Sequence, residues 1–295
     1  MKDNITNTKL CEFNSYLLNR DLSESTISLY LNNVNQFIAY FEETEGIDFN
    51  FSKVKIIDLR DYRSYLVNIK KLNINTINTK IMCLKSYFNF LYNSSLINTN
   101  PCKDFKKIKI ATNYSVKSFN NQVYRKLRRE IYRSANTLHI AIFETFTKTG
   151  CRVSELCNLK LSSLTLTDRT ANIKFLGKGN KLRELKLHLD AKKAILDYIK
   201  IRNSTPSKSD YLFLSERNDK FTRSGIWKIF KKYSTRINED ITLHSFRHYV
   251  LRKLLKEGVD LNTVAAIAGH SNPLVTAKIY TTASKEDQDT ALDLL

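Results

Sequence analysis

Between Ser25 and Glu43 the apolar residues Ile27, Tyr30, Leu31, Val34, Phe37, Ile38 and Phe41 recur at intervals of three and four, which predicts an amphipathic helix. Ser23 or Ser25 can cap its first amides, and Gly46 follows its end. A second such stripe runs from Asn75 to Tyr92, with Ile77, Ile81, Leu84, Phe88 and Leu91 on one face and Asn78, Lys80, Lys85 and Asn89 on the other. Less regular patterns predict helices at Thr8–Asn19 and Ile57–Lys70, so residues 1–112 read as a four-helix domain. Asn100-Pro101 disfavours helix, and the aperiodic, lysine-rich stretch around 102–118 reads as a linker. From Phe119 helix resumes, including Leu138–Thr147. Alternation at Ala171–Phe175 and Leu182–Leu187 then predicts a β-hairpin around the turn Gly177-Lys178-Gly179-Asn180. Ala191–Leu295 returns to helical spacing. The expected fold class is mainly α: the four-helix domain, then a larger helical domain over 119–295 with a small antiparallel β-sheet and no βαβ alternation.

Charge adds a partner. Lys and Arg number 48 against 29 Asp and Glu, a formal charge of +19, and such an excess attracts polyanions; the alternative is a basic protein whose charges are merely solvated. Lys80 and Lys85 on the second helix, and Lys106 and Lys107 in the linker, are candidate phosphate contacts. Neither a signal-type start nor a bilayer-length apolar run is present, so a cytoplasmic protein without membrane association is expected. Five cysteines without a C-x-x-C pair read as reduced, mostly buried thiols.

Three short constellations carry candidate chemistry: Arg152-Val-Ser-Glu155 after Thr149-Gly150, His244-Ser-Phe-Arg247-His248, and Gly269-His270 followed by Ile279-Tyr280-Thr281. Each alone has a plain structural meaning, such as a helical ion pair or a cap. Taken in order with the Lys178 turn, they resemble the tyrosine recombinase (phage integrase, Xer-like) family, which includes transposon-encoded resolvases. That family presents Arg, Lys, His-x-x-Arg, His or Trp, and Tyr in this sequence order, and the resemblance extends over nearly the whole chain. It implies an N-terminal core-binding domain, a C-terminal catalytic domain and DNA cleavage through a 3′-phosphotyrosine. His270 and Tyr280 are ten positions apart, one more than is usual in that family, with Pro273 between them.

The residue types suit this chemistry. Attack on a phosphodiester builds charge on the non-bridging oxygens, which the guanidiniums of Arg152 and Arg247 can clamp. A phenol titrates near pH ~10, so Tyr280 needs help losing its proton, and His244 is the natural base. Because His244 and Arg247 stand three apart, a helix puts both on one face. A lysine on the hairpin can protonate the leaving 5′ oxygen. Lys178, Lys181 and Lys186 all qualify, and the resemblance selects Lys178. It also implies that His270 donates to the phosphate and buttresses Tyr280, and that Glu155 orients its neighbours; Glu155 and His248 have equally good structural readings.

Other chemistries fit poorly. His244 and His248 have zinc-protease spacing, but Ser245 stands where the base Glu belongs. Gly177-Lys178 lacks the upstream glycine of a phosphate-binding loop, since Asn172 holds that position, and Gly179 replaces the magnesium-binding hydroxyl. No cofactor or metal is expected. The expected partner is double-stranded DNA. The resemblance further implies a homotetramer on two DNA sites, a dimer per site, with the terminal segment Lys285–Leu295 passed to a neighbour. The task stays open among dimer resolution, cointegrate resolution and integration. Alternatives are a type IB topoisomerase-like relaxing activity and a non-catalytic DNA-binding protein.

Overall fold

The computed structural model describes residues 3–109, 119–177, 181–204, 209–216, 220–270 and 276–277. The chain divides into two compact units, Met1–Thr112 and Asn113–Leu295.

The first unit contains α1 (Asp3–Leu18), α2 (Glu24–Glu45), α3 (Ile56–Asn68) and α4 (Ile74–Asn93). Local chemistry sets their ends. The Ser23 hydroxyl accepts from the Thr26 amide at the start of α2, and Gly46, left-handed at φ 66°, closes it with a bond to the Glu42 carbonyl. Asn73 caps α4 by accepting from the Asn75 amide. The core is aromatic: Phe13, Phe37, Tyr87 and Phe88 are fully enclosed, and each such phenylalanine contributes roughly 1.5–3 kcal/mol on burial.

Two expectations change here. Lys80 does not lie on a solvated outer face. Its ammonium is buried between α2 and α4, where it donates to Asn33 Oδ1 at 2.9 Å and to Gln36 Oε1. The reason is geometric: Lys80 is three residues past Ile77, so it belongs to the buried stripe. Burial lowers its pKa, and two of its donors are taken by side chains. Lys85 is half-buried, whereas Lys106 and Lys107 are exposed. The start of the lysine-rich stretch is also not a free strap. Cys102 and Phe105 are buried in the first unit's core, and Ile108 exchanges two backbone hydrogen bonds with the Asn78 side chain, each 2.9 Å.

The second unit follows with α5 (Asn121–Arg133), α6 (Thr137–Thr149), the short α7 (Val153–Cys157), a 3-10 turn at Leu161–Ser163, and strands β1 (Leu164–Leu166), β2 (Ala171–Leu176) and β3 (Leu182–Lys186). Then come α8 (Leu189–Asn203), α9 (Arg223–Arg236), α10 (Leu243–Lys256) and α11 (Leu261–Ala268). The sheet is antiparallel in the order β1-β2-β3, so the expected hairpin carries one further short strand. Inward residues Ala171, Ile173 and Phe175 of β2 alternate with outward ones. Phe143 and Phe146 of α6, Phe230 of α9 and Phe246 of α10 interlock as the core, with Phe230 and Phe246 centroids 4.6 Å apart. This packing sets α10 against α6, and a separate cluster of Leu251, Val264 and Ala268 sets α11 against α10. Among the described residues no helix is long and apolar enough to cross a membrane.

Candidate active site

Three chain reversals bring the candidate side chains together. The first is at Gly150, the left-handed cap of α6, φ 58°. It turns the chain so that Arg152 becomes the N-cap residue of α7, with Glu155 in the first turn. The Glu155 carboxylate accepts from the Arg152 amide at 2.7 Å and from Arg152 Nη1 at 2.8 Å, a capping arrangement that holds the arginine against its own helix start. The second reversal leads into α10. There the Thr242 hydroxyl accepts from the Ser245 amide, leaving His244 in the first turn and Arg247 one turn on. The third is Gly269, left-handed at φ 64°, which ends α11 and delivers His270.

The two guanidiniums meet at that last reversal. Arg152 Nη2 donates to the Gly269 carbonyl at 2.8 Å. Arg247 donates from Nη2 to the adjacent Ala268 carbonyl, from Nη1 to the Gly150 carbonyl at 2.7 Å, and from Nη2 to His270 Nε2 at 2.9 Å. Arg247 is buried, 5% exposed. Burial, then repulsion from Arg152, lowers its pKa to about 10, so it stays charged at neutral pH.

His270 is neutral for the same reasons. Burial and the neighbouring Arg247 and Arg152 lower its pKa to about 4. Because Nε2 accepts from Arg247, the hydrogen-bond network assigns the ring proton to Nδ1, which donates to Thr276 Oγ1 at 2.8 Å. The expected donation from His270 to a phosphate is therefore not how Nε2 is engaged here. A phosphate that draws Arg247 toward itself would release Nε2.

His244 reaches solvent, three residues before Arg247. Its pKa is lowered by burial and then by the charges of Arg247 and Arg223, which leaves it a neutral base at physiological pH. His248, 7% exposed, packs edge-on against His244 with ring centroids 4.2 Å apart. Its Nδ1 has no hydrogen-bond partner among the described residues, and burial followed by the charges of His244 and Arg247 lowers its pKa to about 4. His248 is thus a packed core imidazole.

Arg183 of β3 is a site residue that motif reading passes over. Its Nη1 and Nη2 donate to Glu155 Oε1 and Oε2, each at 2.8 Å. Burial alone would raise the Glu155 carboxyl, but the hydrogen bonds from Arg183 and the Arg152 amide outweigh it and lower its pKa. The signal was period-two alternation: Arg183 shares the half-buried face of β3 with Leu185 and pairs with Phe175.

Arg152, Glu155, Arg247 and His270 are thus joined in one network. Lys178 and Tyr280 lie outside the described residues, as does the segment Lys285–Leu295. Gly177, just before Lys178, is described; its amide bonds the Lys181 carbonyl at 2.9 Å, and a side chain there would lie 3.9 Å from Glu155 Oε1. The network holds three guanidiniums (Arg152, Arg183, Arg247) against one carboxylate (Glu155), a surplus of two positive charges suited to an oxyanion. Among the described residues no group of three or more His, Cys, Asp or Glu comes together as metal ligands would.

Comparisons with known proteins agree over both units. The phage integrase family model matches residues 117–287, and that of the phage integrase N-terminal SAM-like domain matches residues 10–97. The TnP I resolvase of Bacillus thuringiensis is 30% identical over 287 residues, covering 96% of this chain and 98% of the relative. Tyrosine recombinase XerC of Leptospira interrogans is 27% identical over 285 residues, covering 93% of this chain and 88% of the relative. Among solved structures, the XerH site-specific recombinase in a post-cleavage complex with palindromic difH substrate superposes with a TM-score of 0.75 at 20% identity, covering 92% of this chain and 80% of that one. The Tn1549 transposon integrase in complex with circular intermediate DNA gives 0.72 at 19% identity, covering 96% and 98%. At such identities the structures speak for the fold.

Proposed function

The chain belongs to the phage integrase family, and from that premise we propose that it is a site-specific DNA recombinase that breaks and rejoins strands through a covalent bond between Tyr280 and a 3′ phosphate. The observation that carries this reading is the pair of guanidiniums, Arg152 and Arg247, on the adjacent carbonyls of Gly269 and Ala268. Two forks held that close, and short of negative charge, suit the two non-bridging oxygens of one phosphodiester.

In the proposed reaction the Tyr280 oxygen forms a bond to phosphorus as the bond from phosphorus to the 5′ oxygen breaks. His244 takes the phenolic proton and Lys178 gives one to the departing 5′ oxygen. The arginines offset the charge that accumulates on the phosphoryl oxygens. The phosphotyrosine keeps the energy of the broken bond, so a 5′ hydroxyl can reverse the step without ATP. A metal ion has no separate task, because the guanidiniums supply its charge.

Exchange between duplexes calls for a dimer on each site and four protomers in all, proceeding through a Holliday junction. Lys106 and Lys107 are exposed cations that suit the DNA backbone. Similarity along nearly the whole chain to a relative named as a resolvase favours resolution of joined replicons over integration.

The test is a supercoiled plasmid carrying two copies of a DNA site that the protein binds. Recombination yields two smaller circles, or inversion of the intervening segment, according to site orientation. Relaxed topoisomers alone would indicate a type IB topoisomerase-like activity, and binding without breakage a non-catalytic protein; either overturns the proposal.

A further inference from the structure

Arg183 is half-buried in the site, its side chain 13% exposed, with the guanidinium 4.8 Å from the centroid of the Phe175 ring across the β2–β3 pair. The way it shares Glu155 with Arg152 is specific. Glu155 Oε1 accepts from Nη1 of both arginines, while Oε2 accepts from the Arg152 amide and from Arg183 Nη2. Arg183 therefore takes one site on each oxygen, and Arg152 uses only one of its two terminal nitrogens on the carboxylate.

Without Arg183, a buried carboxylate with idle lone pairs would draw both terminal nitrogens of Arg152 into a bidentate fork, the preferred geometry of that pair. Arg152 Nη2 would then leave the Gly269 carbonyl. Arg183 also borders that second anchor: a Cβ built on Gly269 would lie 2.5 Å from Arg183 Nη1 and 3.4 Å from Arg152 Nη1. Only a residue without a side chain lets the two guanidiniums close over this turn. We propose that Arg183 is a positioning residue which saturates Glu155 and so keeps the Arg152 guanidinium directed at the phosphate. The inference rests on the reading that Arg152 clamps the scissile phosphate.

A lysine cannot substitute. It keeps the charge but lacks the planar fork that occupies both oxygens at once.

The experiment measures covalent cleavage by the full chain on a nicked duplex whose scissile group is either the ordinary phosphate or a methylphosphonate. The latter has a methyl group in place of one non-bridging oxygen and carries no charge for an arginine to offset. On the phosphate, Arg183→Gln should slow cleavage about tenfold or more, the scale of a misplaced clamp, with DNA affinity retained. On the methylphosphonate isomer that relieves the defect of Arg152→Ala, the Arg183→Gln defect should shrink in parallel. Arg183→Lys, which keeps an ion pair with Glu155, should melt close to wild type yet show the same substrate-dependent defect; it is the variant to rely on if the glutamine variant folds poorly. A wild-type rate for Arg183→Lys, or a defect equal on both substrates while that of Arg152→Ala is relieved, would overturn the positioning role. If Arg152→Ala is relieved on neither isomer, the clamp reading itself falls, and the role of Arg183 with it.

Discussion

Arg247 uses both hydrogens of Nη2 inside the protein, on the Ala268 carbonyl and on His270 Nε2. The imidazole can accept that bond only while Nε2 is unprotonated, so this pair ties the charge state of His270 to its position. His270 and His248 are each lowered from the ordinary 6.5 to about 4, and His139, half-buried and hydrogen-bonded to the Tyr233 hydroxyl at 2.7 Å, is lowered to about 4 as well. The sign follows from linkage. Below about pH 6.5 the unfolded chain binds protons that the folded chain refuses, so folding stability, complete above that pH, declines as the pH falls toward about 4. Thermal midpoints should be level from pH 7 to 8 and fall steadily from about 6.5 to 4, and replacing His248 with Gln should reduce the slope. A midpoint independent of pH across that interval would mean these imidazoles are not held neutral. At this scale Arg152, Arg247 and His270 were legible because their spacing carries a recognisable order. Arg183 was not, because its partner lies 28 residues earlier and a single arginine in a strand reads as solvated.

Among the elements, α2 and α4 were legible nearly to their ends, since apolar residues recurring at alternating intervals of three and four over several turns fit a helix and not a strand. β1 was not, because Leu164–Leu166 is too short to show a period. Lys80 of α4 shows what a binary pattern leaves out: position along the stripe decides burial, and a polar residue on it must find buried partners. Asn33 Oδ1 and Gln36 Oε1 provide them. Lys80→Met should therefore destabilise the first unit by about 1–3 kcal/mol, the cost of leaving Asn33 Oδ1 without its donor, while the folded variant binds DNA as the wild type does. Lys107→Ala should do the reverse, weakening binding most at low salt without lowering the melting temperature. Paired melting and salt-titrated binding measurements check both, and a large loss of affinity in folded Lys80→Met would restore it as a phosphate contact.

For the whole molecule, the division at Thr112 and Asn113 falls inside the lysine-rich stretch. Each unit has its own aromatic core, the first taking in Cys102 and Phe105 from the start of that stretch, and so each can carry part of the DNA-binding surface of a chain with charge +19. The site draws Arg152, Arg183, Arg247 and His270 from α7's start, β3, α10 and the end of α11. Motif order could indicate that convergence but not its bonds, because they depend on where Gly150 and Gly269 turn the chain. Covalent trapping tests the chemistry most directly. A bound duplex nicked just beyond the cleavage point loses its short 5′-hydroxyl fragment after attack, so rejoining fails and the protein stays attached. Wild type should accumulate a denaturant-resistant adduct whose phosphate maps to the peptide containing Tyr280, and Tyr280→Phe should accumulate none. Equal trapping by the phenylalanine variant, or a phosphate on another peptide, would contradict the proposed nucleophile.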